Sequence, residues 1–330
     1  MSSLTLPEGG DATGTALGRV LVVILNFNGV SDTLACLESL SRQTYSDIQV
    51  LVIDNGSREP EAIFVRHHFP GFEVFATGTN LGWAGGNNIG IRTAIERGVE
   101  YICLLNNDTV LDPTALEELL IAAAVIGEPC LLHPSIAYFE GGVEWQLNPE
   151  SPTSVFSSIR EYDPATGIIE MNYAYGACLM FPTLLAQQIG LLDERLFLQL
   201  EETDYFIRAA AVGVRSACAR RARIRHRESA SFSGCVTPDK TYYQIRNGLL
   251  LAVKHRRTLA GCLSAVRDLI WSLHGKALAQ QPGLRGWRRF ALWLVSADPF
   301  ARAARDGTRD FLRGRFGPRT KSLRADPQRN

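Results

Sequence analysis

The stretch YICLLNNDTV, residues 101–110, decides the fold, because its apolar run stops abruptly at two asparagines and an aspartate. Two earlier stretches share this pattern, VLVVILNFNG at 20–29 and VLVIDNGS at 50–57. Continuous apolar runs of this kind are typical of strands that are buried on both faces of a parallel sheet. The sequence therefore predicts buried strands that each end in a polar loop.

Helical patterns separate these strands. Apolar residues recur at helical spacing within 31–42, a second helix-like segment covers 61–69, and a glycine-rich turn opens a third at 80–98. A further strand is predicted at 72–78. This alternation predicts an α/β fold with a Rossmann-like, mainly parallel sheet flanked by helices.

Ligands of such sheets bind beyond the carboxyl ends of the strands, so the polar loops predict a ligand edge. No G-x-G-x-x-G follows the first strand and no G-x-x-x-x-G-K-[ST] occurs, which disfavours a nicotinamide enzyme and a P-loop NTPase. An acid after the second strand can accept hydrogen bonds from a base or ribose. A carboxylate after the fourth can hold a divalent metal against a diphosphate. The pattern favours a nucleoside diphosphate that carries another group.

Charge and cysteine usage describe the rest of the chain. The net charge of the 330 residues is zero, but residues 251–330 hold 17 Lys and Arg against 5 Asp and Glu, and residues 1–250 hold 17 against 29. The seven cysteines form no C-x-x-C pair, and the start of the chain lacks the features of a secretory signal. No run of 18 uncharged apolar residues occurs. We expect reduced core thiols and no transmembrane span.

Seven features occur in the order seen in family 2 glycosyltransferases of the GT-A fold, and the chain resembles the bacterial rhamnosyltransferase-like members of that family. They are VVILNFNG, VIDNGS, NLGWAGGNNIGI, LLNNDT, YGACLMFP, LDERLFLQLEETDYFIRA and the isolated His226. The resemblance covers roughly residues 19–255. It implies a GT-A (nucleotide-diphospho-sugar transferase) fold and inverting transfer of a sugar from a nucleotide-activated donor to an acceptor hydroxyl.

The resemblance also implies a domain organisation. We predict a flexible arm at 1–18 and a catalytic domain at 19–235, followed by a basic helical C-terminal region at 236–330. Within the catalytic domain, 19–110 would form the nucleotide-binding half and 111–235 the acceptor and catalytic half.

Donor-binding residues carry over from the family to the ligand edge. By resemblance, the loop after the first strand and the acid after the second would hold the nucleoside base, and two asparagines around the glycine-rich turn would line the ribose and diphosphate. The residues expected to bind the donor are Asn26, Phe27, Asp54, Asn80, Asn87 and Asn106.

A metal site is implied at Asn106-Asn107-Asp108, which falls where the family has an Asp-x-Asp motif. The first acid is replaced here by Asn106, so Asp108 is the only carboxylate of the trio, and His226 stands where several relatives supply a second ligand. The expected cofactor is Mn²⁺ or Mg²⁺. Two alternatives are that Asp108 is a simple turn residue and that His226 is a solvated member of a basic cluster.

A catalytic base is expected in LEETDYFIRAAAVG, 200–213, which places three acids at the start of a helix. By resemblance to the family's Glu-Asp motif, Glu202 is the base that takes the proton of the acceptor hydroxyl. Acids in a first helical turn can instead complement the helix dipole, and Glu201 and Asp204 are open to that structural interpretation.

Basic helices are predicted after residue 237, where arginines alternate with Trp271, Trp287, Phe290 and Trp293. Such helices favour contact with an anionic membrane surface. The alternative is that their apolar stripe packs on the catalytic domain. No nucleic-acid motif accompanies the charge, so no nucleic-acid partner is expected. We expect a cytoplasmic protein, peripheral on the inner face of the plasma membrane if the helices bind it.

The resemblance favours dTDP-rhamnose as donor, with UDP-hexoses next, and a glycan or lipid-linked acceptor in cell-surface polysaccharide or glycolipid synthesis. One alternative is a nucleotidyltransferase, which would usually have a Gly-rich loop bearing Arg or Lys where this chain has NFNGVSDT. Another is a non-catalytic or degenerate sugar-nucleotide-binding protein. The replacement at Asn106 permits that alternative, whereas retention of Glu202, Asp108 and His226 argues against it.

Overall fold

A computed structural model describes residues 17–138, 159–173, 175–227, 237–256, 258–280 and 287–319. Of the flexible arm predicted at 1–18, all but residues 17 and 18 lie outside the described residues. Residues 139–158 of the predicted acceptor half lie outside them too.

The chain divides into two compact units. The first unit comprises Met1–Leu192 and Tyr205–Gly234, and the second comprises Asp193–Asp204 and Cys235–Asn330. The sequence analysis kept residues 193–204 with the catalytic domain, whereas the compact units group this segment with the C-terminal helices.

A single sheet forms the centre of the first unit. Its strands are β1 (Val20–Asn26), β2 (Ile48–Asp54), β3 (Glu73–Ala76), β4 (Tyr101–Asn106), β5 (Thr109–Leu111), β6 (Cys130–Tyr138), β7 (Ile159–Asp163), β8 (Ile168–Met171), β9 (Cys178–Pro182) and β10 (Arg215–His226). They lie in the order β3-β2-β1-β4-β9-β6-β10-β8-β7, and β5 pairs with β10.

The sheet is mixed in direction. The four strands β3, β2, β1 and β4 are parallel to one another, as predicted for the first 110 residues. The later strands β9, β8 and β7 each pair antiparallel with their neighbours, while β6 and β10 are parallel. The predicted α/β fold with its parallel strands is therefore confirmed, and the later part of the sheet, for which no strands had been assigned in detail, adds antiparallel pairings.

Helices flank the sheet and make up the second unit. The first unit contains α1 (Val30–Leu40), α2 (Glu61–His68), α3 (Gly82–Arg97), α4 (Ala115–Ile126) and α5 (Thr183–Ile189). Helix α6 (Glu201–Ala211) begins in the second unit and ends in the first. The second unit continues with α7 (Pro238–His255), α8 (Leu259–Gln280), α9 (Trp287–Val295) and α10 (Pro299–Leu312).

The strand β1 shows why the apolar runs are continuous. Its residues 20–24 are all fully buried, and alternate side chains enter different core clusters. Val20, Val22 and Ile24 belong to one cluster, and Leu21 and Val23 to the other. Successive side chains of a strand point to opposite faces, so a strand with helices on both faces needs apolar residues at every position.

The strand register brings the polar ends together. Asn26 of β1 lies beside Asp54 of β2, and Leu25 beside Asn106 of β4. Helix α3 approaches the sheet closely at Gly90, where a Cβ atom would lie 2.4 Å from the side chain of Val23. The polar strand ends therefore lie together at one edge of the sheet, and α3 packs closely against β1.

The second unit has its own small core. Phe290 and Trp293 of α9 pack with Ile245 of α7 and Ala301 and Ala304 of α10. Part of the apolar stripe predicted in the basic region is therefore buried by neighbouring helices of the same unit.

Two expectations from composition bear on these elements. Within the described residues no helix is both long and apolar enough to cross a membrane. Five of the six cysteines placed there are buried free thiols, and Cys262 is half-buried. Burial raises the pKa of the Cys36 thiol to about 12, so it stays protonated at neutral pH.

Candidate functional site

Hydrogen bonds to three neighbouring side chains fix Asn26, the last residue of β1. Asn26 is fully buried, and its amide donates to Glu61 Oε2 at 2.8 Å and to Ser57 Oγ at 3.3 Å. Its Oδ1 accepts from Thr33 Oγ1 at 2.7 Å. Because these contacts occupy the side chain within the protein, Asn26 holds the loop in place.

The next residue faces outward. Phe27 is 39% exposed, and Asn28, which follows it, has a positive φ of 52°. The backbone N–H of Asn28 donates to Ser57 Oγ at 2.9 Å, and Asn28 Oδ1 accepts from the N–H of Arg58 at 2.9 Å. The loop therefore presents an aromatic ring at the ligand edge from a backbone that is tied to the end of β2.

Asp54, at the end of β2, is 6% exposed. Its two carboxylate oxygens accept from the N–H groups of Ser57 at 3.2 Å and of Ala62 at 3.3 Å. The carboxylate thus caps the turn that leads into α2, and it retains acceptor capacity because each oxygen has more than one lone pair.

The turn before α3 is built from paired asparagines. Asn80 Oδ1 accepts from the N–H of Gly82 at 2.8 Å and from Asn55 Nδ2 at 3.2 Å. Asn55 Oδ1 in turn accepts from the N–H of Leu81 at 3.0 Å. Asn80, which was predicted to bind the sugar donor, therefore shapes the glycine-rich turn.

Asn87 lies one turn further along α3 and is 1% exposed. Its Nδ2 donates to the carbonyl of Trp83 at 2.9 Å, while its Oδ1 has no hydrogen-bond partner within the described chain. A buried amide oxygen without a donor is unfavourable, so this atom is a candidate for contact with a ligand or water.

The two asparagines after β4 have different roles. Asn106 Oδ1 accepts from the indole N–H of Trp83 at 3.1 Å, which links β4 to α3. Asn107 Nδ2 donates to Thr33 Oγ1 at 3.0 Å, which links the same loop to α1. The side chains of this loop are therefore held from both faces of the sheet.

Asp108 and His226 come together, although 118 positions separate them in the sequence. The short strand β5 pairs antiparallel with β10 and sets His226 opposite Thr109. His226 Nε2 lies 3.1 Å from Asp108 Oδ1, and the two side chains are 14% and 11% exposed. His226 is therefore not a solvated member of a basic cluster.

This pair fits a divalent cation. His226 Nε2 is buried and, despite its short distance to Asp108, makes no hydrogen bond of acceptable geometry within the described residues. Across the described ranges, no group of three or more His, Cys, Asp and Glu side chains is placed to hold a metal. Mg²⁺ and related ions are commonly bound by one or two protein ligands together with substrate phosphates and water, and Asp108 and His226 match that arrangement.

The acids of α6 differ sharply in environment. Glu201 is 2% exposed, and burial, followed by the neighbouring Glu202, raises the pKa of its carboxyl well above the usual range. Asp204 is fully buried and pairs with Lys254 Nζ at 2.7 Å and His255 Nε2 at 2.8 Å. Glu202 is only half-buried. Within this turn, burial raises the pKa of Glu201 and Asp204 is held in ion pairs, whereas Glu202, the predicted base, is in neither situation.

The structure divides the predicted site residues between the two units. Asp108 and His226 are in contact within the first unit, where the donor residues line the same edge, while Glu202 belongs to the second unit. Sequence reasoning missed three residues that hold the edge together, namely Thr33, Asn55 and Glu61. Asn55 directly follows Asp54 in a polar loop after a predicted strand, so the sequence pattern could have indicated it. Thr33 and Glu61 lie within helices, where no sequence pattern indicated a role at the edge.

Comparisons with known proteins identify the family and the fold. Residues 21–185 match the family described as Glycosyl transferase family 2. The chain is 26% identical over 200 residues to the low-salt glycan biosynthesis hexosyltransferase Agl10 of Haloferax volcanii, covering 59% of this chain and 62% of that protein. It is 26% identical over 293 residues to the N-acetylglucosaminyl-diphospho-decaprenol L-rhamnosyltransferase of Mycobacterium tuberculosis, covering 78% of this chain and 92% of that protein.

A solved structure shares the fold. Residues 1–349 of S. aureus TarS, in complex with UDP-GlcNAc, superpose with a TM-score of 0.55 at 15% identity, covering 90% of this chain and 92% of that one. Against a longer TarS chain, the match spans 43% of its length. At this level of identity the likeness concerns the fold alone.

Proposed function

The chain belongs to glycosyl transferase family 2, and we propose that it is a metal-dependent, inverting transferase that moves a sugar from a nucleotide-sugar to an acceptor hydroxyl. The observation that carries the proposal is the contact between Asp108 and His226, with Nε2–Oδ1 at 3.1 Å. A histidine and a carboxylate from distant parts of the chain meet at the edge where a parallel sheet binds its ligand. This arrangement suits a cation that bridges the protein and a diphosphate.

Inverting transfer is a single displacement at the anomeric carbon. The acceptor oxygen forms a bond to that carbon as the bond to the diphosphate oxygen breaks, and the nucleoside diphosphate leaves with the electron pair. Glu202 takes the proton of the acceptor hydroxyl. Asp108 and His226 would hold the metal, which, when bound, supplies Lewis-acid stabilisation of the departing diphosphate. Phe27 offers a surface on which the base of the donor can stack.

For the donor we propose dTDP-L-rhamnose first and a UDP-hexose second. Support comes from the mycobacterial relative, which is named as an L-rhamnosyltransferase, and from the haloarchaeal relative, which is named as a hexosyltransferase. The mycobacterial name also specifies a polyprenol-linked sugar as acceptor. We therefore propose a glycan or lipid-linked acceptor in polysaccharide or glycolipid synthesis.

Calorimetric titration with dTDP-rhamnose, UDP-glucose, UDP-galactose and GDP-mannose, with and without Mn²⁺, tests this function. We expect metal-dependent binding of one donor and its loss in Asp108→Ala and His226→Ala. Glu38→Ala, at an exposed residue of α1 that pairs with Arg42, is the control and should retain metal-dependent binding. Binding of every donor without regard to Mn²⁺, unchanged in both ligand variants, would contradict the proposal.

The second unit offers a surface for an anionic membrane. On α9, Leu292 and Val295 are 69% and 73% exposed, and Arg288 and Arg289 are exposed on the same short helix. Trp287 of α9 is 47% exposed. Exposed apolar side chains next to basic ones are the arrangement by which amphipathic helices bind anionic interfaces. We propose that this helix makes the protein peripheral on the membrane that carries its acceptor, whereas Phe290 and Trp293 are used for internal packing.

Sedimentation with anionic liposomes tests this surface on the full chain. The variant Leu292→Glu with Val295→Glu should lose most of the bound fraction, because two negative charges replace apolar contacts at the interface. The control is Ile121→Glu with Val125→Glu on α4, where the side chains are 38% and 54% exposed. Equal sedimentation of both variants would show that α9 is not the contact.

A further inference from the structure

A buried Arg-Asn pair in α7 holds the segment that leads into Glu202. Arg246 and Asn247 are both fully buried in the middle of the helix, and Arg246 Nε donates to Asn247 Oδ1 at 2.9 Å. Sequence analysis treated this part of the chain as a basic helix, yet a charged and a polar side chain at its centre point inward. Buried polar groups of this kind need partners, and here the partners are main-chain carbonyls.

Asn247 contacts three main-chain carbonyls of this segment. Its Nδ2 donates to the carbonyls of Leu196 at 2.9 Å, Leu198 at 2.9 Å and Gln199 at 2.7 Å. One amide group therefore satisfies carbonyls that belong to no regular helix or strand.

Arg246 adds a second set of contacts. Its Nη2 donates to the carbonyls of Arg195 at 3.1 Å and Leu196 at 2.9 Å, and its Nη1 donates to that of Gly317 at 2.5 Å. The guanidinium also lies over the ring of Tyr243, with 5.0 Å to the centroid. A planar fork with fixed donors is suited to holding several carbonyls in one geometry.

The clamped backbone is in an unusual conformation. Phe197, Gln199 and Leu200 have φ angles of 61°, 72° and 72°, although none of them is glycine. Side chains disfavour this left-handed region, and such residues persist where the surroundings over-determine them, often at functional sites. Glu201 and Glu202 follow immediately, so the conformation of 197–200 sets the start of α6.

Both ends of the segment are tied to the same helix. Lys254 Nζ lies 2.7 Å from Asp193 Oδ2 and 2.7 Å from Asp204 Oδ1, so one ammonium joins the first and last residues of 193–204. His255 also contacts Asp204. Helix α7 therefore holds the ends by charge and the middle by hydrogen bonds.

We propose that Arg246 and Asn247 are positioning residues that place Glu202 for proton transfer by holding residues 195–200, which include the three left-handed residues, in their conformation. The inference rests on the proposed function of Glu202. It assigns to α7 a part in the reaction that the basic character of the C-terminal region does not suggest. Neither residue is proposed to touch the donor or the acceptor.

The first test compares Asn247→Ala with Ile245→Ala in the full-length protein. Ile245 is two positions away and packs on α9 and α10, so its truncation weakens the unit without touching the segment. We expect Asn247→Ala to lower kcat about a hundredfold, since small misplacements of catalytic groups have effects of this size. Its KM for the donor should stay within about twofold, and Ile245→Ala should keep kcat. Equal kcat in the two variants would overturn the proposal.

A double substitution tests whether the effect acts through Glu202. In a Glu202→Gln background, Asn247→Ala should cause no further loss of kcat, because the group that it positions is already removed. A further loss of about a hundredfold would overturn the proposal. If Asn247→Ala does not fold, Asn247→Ser, which keeps one hydroxyl donor, takes its place and should lower kcat by an intermediate factor.

Hydrogen exchange separates this inference from the proposed function. The backbone amides of residues 196–200 should exchange faster in Asn247→Ala than in the wild type. Their exchange rates should be unchanged in Ile245→Ala, and both results are expected whether or not the protein transfers a sugar. If Glu202→Gln keeps full activity, the proposed function of that residue fails although the exchange result stands. If Glu202→Gln is inactive and Asn247→Ala accelerates exchange without lowering kcat, the positioning role is what fails.

Discussion

The ligand edge of the first unit and segment 193–204 of the second unit hold their polar groups in different ways. At the ligand edge, Asn26 bonds to Thr33 and to the Glu61 carboxylate, and Asn55 and Asn80 bond to each other. In segment 193–204, Asp193 and Asp204 are held by Lys254, with a buried guanidinium behind the loop. Asparagines with carboxylate acceptors therefore link the ligand edge, whereas side-chain cations hold segment 193–204.

The difference fits what each region is proposed to bind or do. Asparagine side chains carry no charge, so they can line a site for a diphosphate without repelling it. A proton acceptor needs a carboxylate that is distinct from its neighbours, and here burial raises the pKa of Glu201 while Asp204 is held in ion pairs. The predictions that follow test this division, beginning with the largest expected effect.

Glu202→Gln should lower kcat by roughly 10²- to 10⁴-fold while the affinity for the donor is retained, because general base catalysis contributes about that factor. The measurement is steady-state transfer with the donor identified by calorimetry, together with calorimetry of the variant. Glu201→Gln is the matched control, since Glu201 is 2% exposed and its pKa is raised by burial, which makes it a poorer candidate for the base. Full activity of Glu202→Gln would assign the base elsewhere.

Lys254→Met should lower the free energy of unfolding by about 3–5 kcal/mol, because it leaves a fully buried Asp204 carboxylate with fewer partners and releases Asp193. Urea denaturation of wild type and variant measures the loss. Arg42→Met provides the control, since Arg42 pairs with Glu38 on the surface of α1 with side chains 57% and 55% exposed. That change should cost at most about 0.5 kcal/mol. Similar losses in both variants would show that the charges of segment 193–204 are not structurally important.

Asn106→Asp should tighten Mn²⁺ binding by at least roughly tenfold, because a full negative charge beside a divalent cation contributes on the order of several kcal/mol at an effective dielectric constant near 20. The new carboxylate can still accept from the indole of Trp83, so the link to α3 is kept. Asn107→Asp is the control, since Asn107 donates to Thr33 and the substitution removes that donor.

Calorimetric titration of the two asparagine variants with Mn²⁺ gives the comparison. Tighter binding in Asn106→Asp but not in Asn107→Asp would place the cation on the side of the loop that faces α3. Unchanged affinity in Asn106→Asp would remove this loop from the metal site and with it the role proposed for Asp108.

Sequence patterns predicted the ligand edge well, because its signals are local. The runs ending at Asn26, Asp54 and Asn106, with the strand predicted at 72–78, correspond to the four parallel strands, and strand register brings the ends of the three runs together. The contact between Asp108 and His226 depends on pairing of β5 with β10, a long-range contact that periodicity does not encode. Only the resemblance to a family suggested it.

Sequence patterns did not predict how segment 193–204 is held. The left-handed residues Phe197, Gln199 and Leu200 are not glycines, so the residue types at these positions did not predict a left-handed backbone. Arg246 and Asn247 lie inside a helix whose composition reads as basic and solvated. Their burial results from packing within the second unit, and the number of charged residues in the sequence does not predict that packing.

Acidification should affect segment 193–204 through Asp193. Burial acts to raise the pKa of this carboxyl, but hydrogen bonds from Arg195 and Lys254 outweigh it and hold the pKa well below its ordinary value of 3.8. Because the pKa is lower in the folded chain, the carboxylate stabilises the fold fully above about pH 4, and that contribution is lost as the pH falls toward the folded value. Asp193→Asn should therefore be less stable than wild type at pH 6, and the gap should narrow by pH 3.

Urea denaturation of both proteins at the two pH values measures this gap. Asp32→Asn is the control in the first unit, where Asp32 pairs with the exposed Arg227. A surface pair contributes little, so its gap should be small at either pH. A pH-independent gap for Asp193→Asn would mean that shape rather than charge holds this end of the segment, and the contrast between an edge linked by asparagines and a segment held by side-chain cations would then rest on Asp204 alone.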